Sequence, residues 1–249
     1  MKKISRQGAE SLHDRPDPCP QRPFATVDVV IFTVLDGELQ VLLVQRPQAA
    51  DEPFPGRWAL PGGFVDVARD SDLLACARRK LREKTGVSSP YLEQLGSWGS
   101  KDRDPRGWSA THVYFALLPA ADLEPVKGGN AADVNWAKVN VVLGRRGMAF
   151  DHSEILEAAV ARLRSKVEYT SLPAYLLQEP FTLPQLQRMY EVVLGRPVDK
   201  SGFRTRTLAA DFLVEAGMAE GELNRPAVAY RMRDRARLVT FPRTFSPRN

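Results

Sequence analysis

The segment that decides the fold runs from Gly62 to Val87 and reads GGFVDVARDSDLLACARRKLREKTGV. The two glycines at its start permit a tight turn, and the apolar side chains from Ser71 to Thr85 recur at helical spacing. Gly86 follows this pattern, and a glycine is common just after a helix C-terminus. The segment is therefore predicted to fold as a loop, a helix and a second loop.

Strand patterns surround this helix on both sides. A β-branched run from Thr26 to Leu35 is joined to a second run, Leu39 to Gln45, by Asp36-Gly37, which predicts a tight hairpin. A second helix is expected from Asp151, whose carboxylate can cap the first turn. Strands and helices mix without a regular parallel alternation, so the predicted fold class is α+β. Further strand-like segments are Tyr91 to Trp98, Thr111 to Leu118 and Val134 to Val139.

The sequence becomes more basic after about residue 167, where a compact C-terminal module is predicted to begin. Thr182 predicts the cap of one helix, and Asp199 predicts the cap of a second that runs from Lys200 to about Ala216. Two short strands are expected around the loop from Gly221 to Pro226, which completes a winged helix-turn-helix layout. The predicted units are a flexible arm at 1–24, a first domain at 25–166 and a winged-helix domain at 167–249.

The frame of the Gly62 to Val87 segment resembles the signature of the Nudix hydrolases. That signature is Gly, five residues, Glu, seven residues, Arg-Glu-aliphatic, one residue, Glu-Glu, one residue and Gly-aliphatic. The positions that match it here are Gly63, Arg79, Leu81, Glu83, Gly86 and Val87. The resemblance implies a Nudix-like mixed-sheet α/β/α sandwich for the first domain.

The acidic positions of the signature are where this chain departs from the family. Lys80 and Lys84 replace two of its glutamates, Arg69 stands at the first, and the span from Gly63 to Arg79 is two residues too long. Nudix hydrolases bind a divalent metal mainly through these glutamates, and a hard cation needs clustered carboxylate oxygens. The sequence therefore predicts no catalysis, no metal and no cofactor, while the lysines remain able to attract a diphosphate.

The loop from Asp102 to Trp108 is similar to the ligand-side loop of Nudix domains that recognise ADP-ribose. Arg106 is interpreted as a phosphate partner and Trp108 as a contact to a base, and the alternative is a turn with a half-buried tryptophan. His152, at the start of the second helix, is given a structural role. The other predicted ligand-binding residues are Gly62, Gly63, Phe64, Arg79, Lys80, Glu83 and Lys84.

The distribution of charge points to nucleic acid as a partner of the C-terminal module. The formal net charge is +5, and Asp234 is the one acidic residue among the last 25 residues of the chain, which include seven arginines. Arg204 and Arg206 lie about 200° apart around a helix axis, so one of them can face a DNA groove, and Arg204 is preferred. The candidate DNA contacts are Lys200, Arg204, Arg206, Arg225, Tyr230 and Arg231.

Taken together, residues 26–233 resemble the Nudix-related transcriptional regulators of NAD metabolism. The resemblance implies a homodimeric repressor that binds a palindromic operator in double-stranded DNA, senses ADP-ribose or a related nucleoside diphosphate, and controls genes of NAD synthesis or salvage. Two alternatives stay open: an active Nudix pyrophosphatase that holds Mg²⁺ through Asp70, Asp72 and Glu83, and a regulator that responds to a sugar metabolite. Two cysteines and the lack of an apolar signal or membrane segment predict a cytoplasmic protein.

Overall fold

The computed structural model describes residues 22–89, 91–123, 133–145, 147–220 and 226–241. The strands are β1 Phe24–Leu35, β2 Glu38–Gln45, β3 Trp58–Ala59, β4 Gly62–Phe64, β5 Tyr91–Ser100, β6 Ser109–Leu117, β7 Asp133–Lys138, β8 Phe181–Thr182, β9 Leu213–Glu220 and β10 Pro226–Met232. The α-helices are α1 Leu73–Thr85, α2 Val139–Leu143, α3 His152–Val167, α4 Leu183–Leu194 and α5 Lys200–Ala209. None of these helices has the length and apolar character needed to cross a lipid bilayer.

A mixed sheet of seven strands forms the centre of the first part of the chain. The strands are ordered β3-β2-β1-β6-β5, with β4 paired to β1 and β7 paired to β2. β1 and β6 are parallel, and the other pairings are antiparallel. The buried side chains of β1 alternate, so that Val29 and Ile31 pack with α1 while Val30 and Phe32 pack with α3. This arrangement confirms the predicted α/β/α sandwich.

The predicted hairpin and the predicted first helix are both present. Asp36 and Gly37 have φ angles of 52° and 71°, as a two-residue turn between antiparallel strands requires. Helix α1 begins at Leu73 because the Asp72 carboxylate accepts a hydrogen bond from the Ala75 amide at 2.7 Å. Gly86 ends the helix with a φ of 70°.

The predicted cap of α3 is wrong. Asp151 precedes the helix, but its side chain makes no capping hydrogen bond to the first turn. Its two carboxylate oxygens instead accept hydrogen bonds from Nε and Nη2 of Arg103, each at 2.9 Å. A paired, charge-assisted contact is stronger than a cap made by a single amide, which accounts for the orientation of Asp151.

The C-terminal module is a winged helix in which one predicted helix is shorter than expected. Helices α4 and α5 start at the predicted caps Thr182 and Asp199, and β8, β10 and β9 form an antiparallel sheet. Helix α5 ends at Ala209, not near Ala216, because Asp211 adopts a φ of 49° and the chain continues as β9. The buried side chains of residues 212 and 213 therefore belong to the turn and the strand rather than to the helix.

The two parts of the chain share one apolar core. Phe32 of the large sheet and Leu163 of α3 belong to the same cluster of buried side chains as Tyr175, Tyr190 and Phe203. The predicted boundary at residue 167 coincides with the last residue of α3. The apolar core crosses this boundary, so the structure does not separate the chain into two cores there. The division into 25–166 and 167–249 therefore stays a prediction.

Candidate ligand-binding site and DNA-binding surface

A cavity of about 200 Å³ lies beside strands β1 and β4, at the N-terminal end of α3. Five residues of the predicted ligand site line this cavity, namely Gly62, Gly63, Phe64, Lys84 and Arg106. The others do not belong to its lining, namely Arg79, Lys80, Glu83 and Trp108. The charged and titratable side chains of the wall are Asp28, Arg46, Glu52, Lys84, Arg103, Asp104, Arg106 and His152.

Asp28 is one of the buried carboxylates of this wall, with 5% of its surface exposed. It accepts a hydrogen bond from the Thr111 hydroxyl at 2.7 Å and lies 3.5 Å from His152 Nε2. Burial acts to raise the pKa of Asp28, but His152, Thr111 and the nearby Arg103 outweigh it and lower the pKa below its usual value. Asp28 is therefore held as an anion, although it is removed from water.

His152 connects this carboxylate to the backbone of the cavity wall. Its Nδ1 accepts a hydrogen bond from the Leu60 amide at 2.9 Å. Because Nδ1 is an acceptor, the ring proton belongs on Nε2, which faces Asp28. The contacts of His152 hold the segment between β3 and β4 in position, in agreement with the structural role predicted for this residue.

Arg103 is the most buried cation of the wall, with a side chain only 4% exposed. Besides Asp151, it donates to the Ser109 hydroxyl at 3.3 Å and lies 3.7 Å from Asp28. Burial acts to lower the pKa of Arg103, but the hydrogen bonds and charges of its acidic partners raise it above the usual value. The guanidinium also lies 5.7 Å from the centroid of the Phe150 ring. Arg103 is thus fixed in place before any ligand arrives.

Arg106 lies at another edge of the cavity, beside two aromatic rings. It donates to the buried carboxylate of Asp104 at 2.8 Å, and its guanidinium lies 5.1 Å from the Phe64 centroid and 5.9 Å from that of Phe24. Trp108 is 50% exposed and lines a separate depression near Phe24. The structure thus brings Arg106 into the cavity and leaves Trp108 outside its lining.

The two lysines of the Nudix segment lie in different surroundings. Lys84 is 9% exposed and lines the cavity, and burial lowers the pKa of its ammonium group. Nζ of Lys80 lies only 2.9 Å from the point where a Cβ on Gly63 would stand. Gly63 has a φ of 144°, a backbone conformation that favours glycine. The close approach of Lys80 and this φ angle therefore both select glycine at the position.

The acidic residues near α1 do not suit a divalent metal. Asp70 accepts two hydrogen bonds from Arg79, at 2.6 and 2.7 Å, and Asp72 caps α1. Glu83 lies 3.2 Å from Arg79 and 3.8 Å from Arg69. Within the described ranges, no three His, Cys, Asp or Glu side chains are grouped so as to hold a metal ion. The convergence of Asp70, Asp72 and Glu83 that a metal-dependent hydrolase requires is therefore not found.

The predicted DNA-binding residues lie in different environments. Lys200 and Arg204 on α5 are exposed, and so is Arg231 on β10. Arg206 is turned inward, with its guanidinium 5.9 Å from the Phe241 centroid, and burial lowers its pKa. Arg225 lies outside the described residues.

The prediction for Tyr230 is corrected by the structure. Its side chain is only 6% exposed and belongs to the shared core, because β10 directs alternate residues to opposite faces and Tyr230 falls on the inner one. Of the candidate DNA contacts, Lys200 and Arg204 on α5 and Arg231 on the outer face of β10 are therefore the exposed ones.

The sequence reasoning missed the buried part of the site. Asp28, Arg103 and His152 meet in the cavity, but they are far apart along the chain and no fixed spacing links them. One signal was available, since Asp28 is a charged residue inside an otherwise apolar and β-branched strand. Such a residue needs a buried partner, although the sequence does not identify that partner.

Comparison with family models assigns a domain type to each part of the chain. Residues 25–159 match the NUDIX domain model. Residues 173–232 match the model of the NrtR DNA-binding winged helix domain.

Individual proteins of known description resemble the chain over most of its length. It is 43% identical to the ADPR responsive transcriptional repressor NtrR of Acinetobacter baylyi, over 89% of this chain and 86% of that protein. The crystal structure of Shewanella oneidensis NrtR complexed with a 27mer DNA is 43% identical, with a TM-score of 0.80, over 89% of this chain and 99% of that one. The NUDIX domain of the same NrtR, complexed with ADP ribose, is 40% identical with a TM-score of 0.51, over 61% of this chain and 96% of that one.

Proposed function

Because the chain belongs to the NrtR family of Nudix-related regulators, we propose that it is an ADP-ribose-responsive transcriptional repressor. The observation that carries this proposal is a cavity in the Nudix domain with four cationic and three acidic side chains in its wall, in a chain that also presents basic side chains on an exposed helix. One part of the molecule is suited to a diphosphate and the other to the phosphates of DNA. The effector and the operator therefore bind at separate sites.

The wall of the cavity has the chemistry that a nucleoside diphosphate requires. Arg46, Arg103, Arg106 and Lys84 offer cationic donors, and carboxylates and aromatic rings fix the positions of the three arginines. Phe64 supplies apolar surface to the cavity beside Arg106, and Phe24 packs against Phe64 from outside the lining. Such a wall favours a ligand that combines phosphates with flat or apolar groups, as ADP-ribose does.

Binding without cleavage is the second part of the proposal. Of the acidic positions that hold metal in Nudix hydrolases, two are lysines here and the first is Arg69, while the retained Glu83 is engaged by arginines. A diphosphate can be attracted by these cations, while the polarisation and the activated water that a metal provides are missing from this arrangement. The first domain is accordingly proposed to be a sensor rather than a hydrolase.

The wider assignments rest on the family alone. We propose that the protein acts as a homodimer on a palindromic operator and represses genes of NAD synthesis or salvage. A two-fold dimer suits a winged-helix regulator, because paired half-sites on DNA mirror the symmetry of the protein. A cytoplasmic location is part of the same proposal.

The test of this function measures DNA binding with and without the effector. The protein is expected to bind an operator selected from a pool of palindromic sequences, and saturating ADP-ribose is expected to weaken that binding about 5- to 150-fold. Fluorescence anisotropy of the labelled operator measures both states, and sugar phosphates serve as the comparison ligands. An operator complex that is unaffected by ADP-ribose, or rapid Mg²⁺-dependent hydrolysis of ADP-ribose, contradicts the proposal.

Replacement of Arg204 with alanine is expected to weaken operator binding by about 1–3 kcal/mol if the guanidinium contacts a base edge. If it contacts a phosphate, the slope of log K against log salt is expected to fall by about 1. Anisotropy titrations at several salt concentrations distinguish the two cases. Arg78, which is equally exposed but lies on α1, provides the control as Arg78→Ala, and equal effects of both substitutions disprove a specific role for Arg204.

A further inference from the structure

Helix α3 joins the ligand cavity to the DNA-binding module, and this inference rests on the function proposed above. The residues that start the helix belong to the cavity wall: Phe150 and His152 line it, and Asp151 holds Arg103. The helix then continues for 16 residues, which corresponds to about 24 Å. Its two ends therefore lie in two different functional parts of the molecule.

The cavity end of α3 is held by the ion pair of Arg103 and Asp151, and a bound ligand can disturb this pair. Arg103 lines the cavity, and two of its donors are engaged by Asp151 at 2.9 Å. A diphosphate in the cavity is a second anion for the same guanidinium, so it competes with Asp151. Any change in that ion pair acts directly on the first turn of α3, because Asp151 is the residue before the helix.

The far end of α3 is bonded to α4, the first helix of the winged helix. Arg164 Nε donates to the Val193 carbonyl at 3.2 Å, and this carbonyl lies in the last turn of α4. The hydroxyl of Tyr190 donates to the Thr170 carbonyl at 2.7 Å, just beyond the end of α3. Thr170 is itself tied to α3 by a hydrogen bond from its hydroxyl to the Lys166 carbonyl at 2.7 Å.

The body of α3 is held by apolar packing along its length. Its apolar face is fully buried between these ends: Ile155, Leu156, Ala159, Leu163 and Val167. Helix α4 in turn contacts α5 through the rings of Tyr190 and Phe203, whose centroids lie 5.2 Å apart. A shift at the cavity end can thus reach α5, which carries Lys200 and Arg204, through well-packed contacts.

We propose that Asp151 and Arg164 are positioning residues that transmit occupancy of the cavity along α3 to the DNA-binding helix. Neither residue is required to touch DNA, and Arg164 lies away from the ligand cavity. Their role is to couple the two binding events, so it is visible only when both ligands are present.

A second connection between the two parts of the chain offers a competing route. The hairpin turn of β1 and β2 lies against α4, where a Cβ on Gly37 would stand 3.2 Å from Arg188 Nη2. β2 also lines the cavity, through Val44 and Gln45. A substitution of Arg188 therefore tests whether the signal follows β2 rather than α3.

The experiment compares coupling factors, defined as the dissociation constant of the operator at saturating ADP-ribose divided by that without ligand. Asp151→Asn and Arg164→Gln are each expected to reduce this factor to about one third of the wild-type value or less, within the ~5- to 150-fold range typical of such couplings. Arg164→Gln is also expected to bind each ligand alone as the wild type does. Glu157→Gln, an exposed change on the same helix, is the matched control and should retain full coupling.

The outcomes separate the two proposals. Absence of coupling in the wild type refutes the proposed function, and the inference with it. Wild-type coupling that persists in both Asp151→Asn and Arg164→Gln overturns the inference alone, and so does a loss of coupling confined to Arg188→Gln. If Asp151→Asn fails to fold, as thermal unfolding would reveal, Arg164→Gln decides the result, since it leaves the ion pair of Arg103 intact.

Discussion

Replacement of Lys84 with glutamate is expected to weaken ADP-ribose binding at least about 100-fold. Lys84 is buried in the cavity wall, where an ammonium group interacts with a diphosphate at a lower dielectric than in water. Loss of one charged hydrogen bond costs about 1.5–3 kcal/mol, and the new carboxylate adds repulsion. Isothermal titration calorimetry with ADP-ribose measures the change directly.

The same substitution is expected to leave operator binding without ligand intact, because Lys84 lies in the Nudix domain and not on the winged helix. Repression by this variant should therefore persist at ligand concentrations that release the wild type. Arg82→Glu, which makes the same charge change on an exposed position of α1, is expected to bind ADP-ribose as the wild type does. Similar losses in Arg82→Glu and Lys84→Glu would point to a general field effect and remove Lys84 from the site.

Folding of the Lys84 variant is a separate question that a milder substitution answers. Lys84→Gln removes the charge without adding an opposite one, and its expected loss of affinity is about 10- to 150-fold. If this variant is stable and still binds ADP-ribose with wild-type affinity, the lysine has no role in ligand recognition. Lys84→Glu and Lys84→Gln therefore both test the contact between Lys84 and ADP-ribose, the first by reversing the charge and the second by removing it.

The local elements were predictable because their signals are contained in short stretches of sequence. Asp36-Gly37 predicts its hairpin from two residues that tolerate positive φ, and Thr182 predicts the start of α4 through a capping box. The end of α5 was predicted wrongly because the local sequence there is compatible with more than one structure. Phe212 and Leu213 fit a helical period, but they also fit a turn and a strand, and the pairing of β9 with β10 decides between these.

The cavity was predictable only in part, because its residues come together through tertiary structure. The glycine turn and Lys84 lie within one recognisable segment, whereas Asp28, Arg103 and His152 come from β1, a loop and α3. The misassignment of Asp151 has the same origin. From the sequence alone, an aspartate before a helix is a cap, and only the fold reveals that a buried arginine competes for its carboxylate.

Replacement of Arg103 with leucine is expected to lower the free energy of unfolding by about 3–5 kcal/mol. Its side chain is almost fully buried, and its removal leaves the carboxylates of Asp151 and Asp28 without their cationic partner. A buried charge that loses its partner keeps the cost of its removal from water and loses the compensating attraction. Urea denaturation monitored by circular dichroism measures the difference.

An exposed ion pair provides the control for this substitution. Arg233 and Asp211 lie 2.7 Å apart with both side chains more than half exposed, so Arg233→Leu is expected to cost no more than about 1 kcal/mol. Adding Asp151→Leu to Arg103→Leu should recover part of the lost stability, since it removes an unpaired carboxylate. If Arg103→Leu proves no more costly than Arg233→Leu, the buried pair does not hold the start of α3 in place, and the cavity wall must owe its shape to the apolar packing of α3 alone.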